Sequence, residues 1–329
     1  MRLLIHERSY RRTQAAIAAH SGVEPLILTD AGEVTLHGGP LSLEAASPEA
    51  AWANPDIFFS SALKPFVEAT LKSPALKWVQ SGAAGFDHAI FGKFVQKGAT
   101  LTTSHGQAVG IADYVLWSVL DVYQGGPERR ANQAARRWKP LSSRELNGSR
   151  WVILGFGAIG AAVAARAKAF GAHVTGVRRS GAPHPAADVM VATAQFLDVL
   201  ADADVVVLCA PASPETQKIA GHEAFARLKP GSVLVNVGRG ALIDEPALLA
   251  ALDAGAPDHA VLDVFAVEPQ PTDSPFWDHP KVTLSAHDAG ISTGDAARND
   301  ALFLENLGLY LSSQPLMHVA DPKEVLADR

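Results

Sequence analysis

Cysteine is nearly absent: Cys209 is the only one in 329 residues. An intrachain disulfide and a cysteine-based metal site are thereby excluded, and a cytoplasmic location is the simple expectation. Charge is sparse as well. Asp, Glu, Lys and Arg make up 19% of the chain, and the net charge of −6 leaves no basic excess for nucleic acid or an anionic membrane. Apolar runs are short. None approaches a membrane span, and Met1–His6 begins like a strand, with too short an apolar stretch for a signal peptide. No repeat or low-complexity tract is visible. What is present is 48% hydrophobic composition over a length that suits about two domains.

The most informative stretch is Trp151–Phe170. Trp151-Val152-Ile153-Leu154 reads as a buried strand, Gly155-Phe156-Gly157-Ala158-Ile159-Gly160 as a G-x-G-x-x-G turn, and Ala161–Phe170 as a helix. That order turns a weak glycine pattern into a dinucleotide-binding expectation. Gly155 permits the tight turn, Gly157 lets a pyrophosphate approach the backbone, and Gly160 allows helix and strand to pack closely. Backbone N–H groups at the helix start, helped by its dipole, would face the phosphates.

Strands alternating with helices run along the whole chain. The first half gives strands at 3–5, 25–29, 56–60, 77–81 and 100–103, with helices at 11–20 and 66–71 and an irregular segment at 31–52. Residues 107–123 form an apolar helix, and the basic stretch that follows, to Pro140, reads as an arm or interface; a core helix is the alternative. Strands recur at 152–154, 173–177, 205–209, 233–237, 259–264 and 282–285, with helices between them. A long amphipathic helix covers 295–311, and the tail is polar. The expected fold is α/β: two Rossmann-like/flavodoxin-like domains with parallel sheets and a cleft between them. One domain is 1–106 plus 291–329, for substrate, and the other 107–290, for the dinucleotide.

The end of the second strand of the nucleotide unit bears on cofactor choice. NAD-binding units place a carboxylate there. This chain has Arg178-Arg179-Ser180. Two guanidiniums and a hydroxyl suit a 2′-phosphate, so NADP(H) is preferred over NAD(H). Solvated arginines that merely tolerate NAD(H) are the alternative. Three chemically able residues follow later strands: Arg239, Glu268 and His287. Each lies beyond a strand's carboxyl end, where open α/β sheets bind ligands.

These runs, with VNVGRGALIDEPAL at 235–248, LDVFAVEP at 262–269 and WDHPKVTLSAH at 277–287, resemble the D-isomer-specific 2-hydroxyacid dehydrogenases. The likeness is closest to the glyoxylate and hydroxypyruvate reductases of that family. It implies reduction of a small 2-oxo acid to the D-2-hydroxy acid. Arg239 would bind the substrate and stabilise developing charge. His287 would give the proton, and Glu268 would pair with it and favour its protonated form. The cofactor set implied is Gly155, Gly157, Ala158, Ile159, Gly160, Arg178, Arg179, Ser180, Ala210, Pro211, Val237, Gly238, Arg239, Asp263, His287 and Gly290. Within it, Asp263 would hold the nicotinamide carboxamide, and Cys209 would be an inert thiol beside the adenosine. Ser81–His88 matches the substrate loop, with the N–H groups of Ala84 and Gly85 meeting a carboxylate. Asp87 and His88 are expected as caps or hinge contacts. The resemblance, with helix 107–123, implies a homodimer through the 107–140 region, where Trp138 matches an aromatic that reaches the partner's substrate.

The chain departs from the family pattern at Ala286, where proline is usual before the histidine, and at Ala158, where a more polar residue is common. Asp288, directly after His287, would either favour imidazolium or repel an anionic substrate. Formate dehydrogenases of this family pair the histidine with glutamine, so Glu268 argues against that activity. A non-catalytic NAD(P)(H)-sensing regulator on the same fold is the other alternative.

Overall fold

The structure is a computed structural model in which residues 1–86 and 88–327 are described. Asp87, expected as a cap or hinge contact, lies outside the described residues. Among the described residues two units emerge: 1–107 with 293–327, and Ala108–Ser292. Each carries, among the described residues, its own sheet of seven strands. Among the described residues no helix is long and apolar enough to cross a membrane.

The first unit begins with β1 (Arg2–His6), α1 (Glu7–Ala18) and β2 (Glu24–Leu28), then two short strands, β3 (Val34–Leu36) and β4 (Gly39–Leu41), and a single helical turn, α2 (Leu43–Ala46). β5 (Ala50–Ala53), α3 (Pro55–Phe58), α4 (Leu63–Lys72), β6 (Trp78–Ser81), α5 (Ala89–Gln96) and β7 (Thr100–Thr102) complete it before the crossover. Sheet order is β4-β3-β2-β1-β5-β6-β7, parallel apart from the antiparallel edge made by β3 and β4. Its parallel part has the flavodoxin-like order, with the reversal between β1 and β5.

Two expectations fail here. Residues 56–60 are not a strand, because Asn54 adopts extended backbone and Pro55 opens helix α3 at its first position. The strand lies just upstream, inside the segment read as irregular. Ala50-Ala51-Trp52-Ala53 is fully buried and pairs with β1 on one side and β6 on the other. Alanine carries little strand propensity, which hid it. His88, by contrast, does cap a helix: its Nδ1 accepts from Ile90 N at the start of α5.

The second unit runs through α6 (Ala108–Tyr123), α7 (Gly126–Ala134), β8 (Arg150–Leu154), α8 (Ala158–Ala169), β9 (His173–Arg178), β10 (Val189–Ala192) and β11 (Val205–Leu208). It continues with α9 (His222–Arg227), β12 (Val233–Asn236), α10 (Glu245–Ala254), β13 (His259–Leu262) and β14 (Val282–Leu284). All seven strands are parallel, ordered β10-β9-β8-β11-β12-β13-β14. This is the dinucleotide-fold order with one strand added, and β10 is the strand the sequence did not reveal. No helix connects β13 to β14; a long loop does so. α6 buries one face, including Ile111, Ala112, Val115 and Val119, in this unit's core, and leaves Val109 and Trp117 exposed.

The chain then returns to the first unit as α11 (Asp295–Leu311) and α12 (Pro322–Val325). Aromatic packing fixes the return. Phe303 stacks on Trp52 at 4.1 Å and on Trp78 at 5.9 Å, and Asn306 Nδ2 donates to Gln80 Oε1 at 2.8 Å. The tail expected to be merely polar buries Val325 in the core that also holds Phe91 and Phe94.

Candidate active site

In the second unit the strand order reverses between β8 and β11, and the glycine turn sits at that crevice. Gly155 has φ 90°, and a side chain there would collide with the backbone of Cys209 and Ala210. Gly160 packs against the Gly155 carbonyl. Gly157 is different: a Cβ added to it would meet nothing within 4 Å. No side chain caps α8, and Ala158 and Ile159 in its first turn are only half-buried. A turn held tight on both sides, open at its middle glycine and leading into a helix N-terminus suits a pyrophosphate. The residues therefore fit the dinucleotide that the fold implies.

Val177, near the end of β9, is buried, while Arg179 and Ser180 just beyond the strand are exposed. Arg178 turns back, donating from Nε to Ala182 O at 3.0 Å and from Nη2 to Pro183 O at 3.1 Å. Of the two arginines, Arg178 thus frames the loop, and Arg179 is the more exposed. Beyond β11, Ala210 is buried and Pro211 exposed. Burial pushes the Cys209 thiol up to about 12, so its reactive thiolate is suppressed.

Beyond β12, Asn236 shapes the turn that carries Arg239. Its Oδ1 accepts from Gly238 N at 3.1 Å and its Nδ2 donates to Arg239 O at 2.9 Å. Val237 N donates to Leu208 O, which ties this turn to the β11 edge. Arg239 Nη1 donates to Gly238 O at 2.7 Å. Gly240 lies directly on the Phe265–Ala266 peptide, where an added Cβ would come 1.9 Å from Phe265 C. The turn bearing Arg239 and the loop bearing Glu268 therefore touch backbone to backbone.

That second loop is pinned twice. Glu245, the first residue of α10, accepts from Ala266 N at 2.8 Å. Glu268 Oε1 accepts from Phe265 N at 2.9 Å. Its other oxygen, Oε2, meets His287 Nδ1 at 2.8 Å. With one oxygen fixed to backbone, the carboxylate is aimed at the ring and not merely near it. The His287 ring is half exposed and Glu268 about one-third.

His287 itself has φ 54°. A left-handed conformation in a non-glycine residue costs on the order of 1–3 kcal/mol, and it persists only where its surroundings over-determine it. Asp263 supplies the determination. Its carbonyl accepts from His287 N at 2.8 Å, and its buried carboxylate accepts from Ser285 Oγ at 2.6 Å, Asp288 N at 3.0 Å and Ala289 N at 3.2 Å. Asp288 is exposed, and Gly290 follows at the end of this loop. Glu245 and Ser285 stand inside the sequence runs already singled out, yet nothing there marked them as supports.

Ala84 and Gly85 lie in the first unit, past the carboxyl end of β6, and are half-buried. Gly82 packs against Asn54 and Pro55, and Ser81 Oγ accepts from Ala83 N, so the start of that loop is fixed. Trp138 is fully exposed. Among the described residues no cluster of His, Cys, Asp and Glu could hold a metal ion.

Comparison with known proteins identifies the relatives of this chain. Residues 116–289, more than half of the chain, match the family described as "D-isomer specific 2-hydroxyacid dehydrogenase, NAD binding domain". The chain is 35% identical over 274 residues to a D-3-phosphoglycerate dehydrogenase of Mycobacterium leprae, covering 82% of this chain and 51% of that one. It is also 35% identical over 192 residues to a glyoxylate/hydroxypyruvate reductase A of Serratia proteamaculans, covering 58% and 61%. It thus spans only about half to three-fifths of these curated relatives. A crystal structure of a D-isomer specific 2-hydroxyacid dehydrogenase from Xanthobacter autotrophicus, in complex with NADPH and MES, is 27% identical. It superposes with a TM-score of 0.77 and covers 99% of this chain and 100% of that one. With the family's nucleotide-binding region matched over more than half its length, this chain belongs to the D-isomer specific 2-hydroxyacid dehydrogenases.

Proposed function

We propose that the protein reduces a small 2-oxo acid of the glyoxylate or hydroxypyruvate kind to the D-2-hydroxy acid, with NADPH preferred to NADH. The observation that carries this reading is the His287–Glu268 pair at 2.8 Å, on a loop against which the Arg239 turn packs. The dinucleotide, when bound at the glycine turn, supplies the hydride. Arg239 binds the substrate carboxylate and carbonyl oxygen and stabilises charge on that oxygen as hydride arrives. Because Glu268 takes Nδ1, the ring's other nitrogen, Nε2, is the one that gives its proton to the alkoxide. In the reverse direction neutral His287 accepts that proton. Asp263 and the turn at Val237–Gly238 border the nicotinamide in this reading, and Ala84 and Gly85 contribute N–H groups to the substrate carboxylate.

NADPH preference rests on Arg179 and Ser180, exposed beyond β9, with Arg178 framing the loop beside them. The NADPH-bound relative supports it. The choice of an unphosphorylated acid follows the likeness to the glyoxylate/hydroxypyruvate reductase A of Serratia proteamaculans, 35% identical over 192 residues. Two such chains would pair through the 107–140 region, where Trp138 and Trp117 are exposed.

Steady-state assays with glyoxylate, hydroxypyruvate and a phosphorylated 2-oxo acid test the reading. Turnover is expected with the first two. His287→Ala should cut it by about 10²–10⁴-fold while NADPH affinity stays within a few-fold. Absence of turnover with every acid, beside tight cofactor binding, would point instead to a regulator that senses the dinucleotide.

A further inference from the structure

Tyr114 lies on α6, 171 residues away from Ser285 in sequence, yet its hydroxyl is 2.7 Å from Ser285 Oγ. Ser285 Oγ is in turn 2.6 Å from Asp263 Oδ1. A carboxylate only accepts, so the serine proton points to Asp263 and the serine oxygen must accept from the phenol. The chain of donors is therefore directed: Tyr114 to Ser285 to Asp263. Burial pushes the Tyr114 phenol up, which keeps its proton in place near neutrality. Asp263 Oδ1 also receives the N–H groups of Asp288 and Ala289, so one oxygen holds the loop on both sides of His287.

We infer that Tyr114 is a positioning residue for His287, acting through Ser285 and Asp263 to keep the left-handed turn that presents the imidazole to Glu268. The inference rests on the proposed reduction for its kinetic reading, but its geometry does not. Losing the phenol removes the donor that polarises and orients the Ser285 hydroxyl, which weakens its bond to Asp263 and with it the support of the loop on its strand side. The turn at His287, disfavoured for a side-chain-bearing residue, is the part that relaxes. Misplacing a reacting group by about 1 Å from a distance can cost up to about 10²-fold in rate.

Full-length Tyr114→Phe and Ser285→Ala are expected to lower kcat about tenfold for the accepted 2-oxo acid, with KM and NADPH affinity within about twofold. Ser285→Thr, which keeps a hydroxyl, is expected to restore most of the rate. In a His287→Ala background, Tyr114→Phe is expected to change the residual rate no further. An unchanged kcat, or a loss that persists without His287, would overturn the inference. A second readout needs no turnover: the His287 ring resonances of the free protein, by heteronuclear NMR, should move in Tyr114→Phe. Ring resonances that stay put would overturn positioning even if catalysis is confirmed. Resonances that move in a protein inactive with every 2-oxo acid would keep the positioning and sink the reductase.

Discussion

Two glycines in this unit do opposite things, and substitution separates them. Gly240 rests on a peptide, and its Cβ would fall 1.9 Å from Phe265 C and 2.1 Å from Phe265 O. Backbone cannot rotate aside as a side chain can. Gly240→Ala should therefore cost about 1–3 kcal/mol in denaturant unfolding and at least tenfold in kcat, because the loop that moves carries Glu268. Gly157 faces open space. Gly157→Ala should leave stability within about 1 kcal/mol yet weaken the dinucleotide markedly, as read by fluorescence titration. Similar losses of stability in both variants would refute the distinction. The adjacent arginines divide in the same way. Arg179→Ala should weaken NADPH by about tenfold or more and spare NADH, since a paired phosphate contact is lost. Arg178→Ala should weaken both cofactors, since it releases the carbonyls of Ala182 and Pro183. Equal effects of Arg179→Ala on the two cofactors would remove the 2′-phosphate argument.

Elements are joined by side chains as well as by sheet pairing, and Asp188 is an instance. It accepts from Lys168 Nζ at 2.6 Å near the end of α8 and from Val174 N at 2.8 Å in β9, immediately before β10 begins. Those two bonds, the lysine first, hold its carboxyl below the usual carboxylate range. A folded-state value below the unfolded one stabilises the fold at pH above the unfolded value, about 3.9, and the gain is lost as pH falls through the folded value. Asp188→Asn should accordingly cost about 1 kcal/mol at pH 7, a partly exposed pair contributing modestly. The difference from wild type should vanish in unfolding curves taken at progressively lower pH; a gap that widened in acid would have the wrong sign. β10 is also where the sequence fell short: Val189–Ala192 is an edge strand of only four residues, too short for its period to stand out. β5 was missed because alanine fills three of its four places. β8, in contrast, was legible because an apolar run, a glycine turn and a helix came in one order. The Glu268–His287 contact could be anticipated from the places of these residues after strands and from their motifs. Tyr114 could not, because a contact across 171 residues leaves no local trace.

At the scale of the whole molecule, the chain holds separate cores. Trp52, Trp78 and Phe303 lie in one core of the first unit, while Val152, Phe196 and Leu234 lie in one core of the second. Chains of this kind depart from all-or-none unfolding. Calorimetry is therefore expected to resolve two transitions. Every residue of the glycine turn and of the segment beyond β9 belongs to the second unit. A dinucleotide bound there stabilises what it touches by about 2.7 kcal/mol at a hundredfold excess over Kd. NADPH should consequently raise one transition and leave the other near its original temperature. Removing the aromatic stack of the first unit by Phe303→Ala should lower only the transition that NADPH does not move, by about 3–5 kcal/mol. If NADPH and Phe303→Ala act on the same transition, the two units unfold as one body, and assignment of the dinucleotide to a self-supporting second unit is wrong.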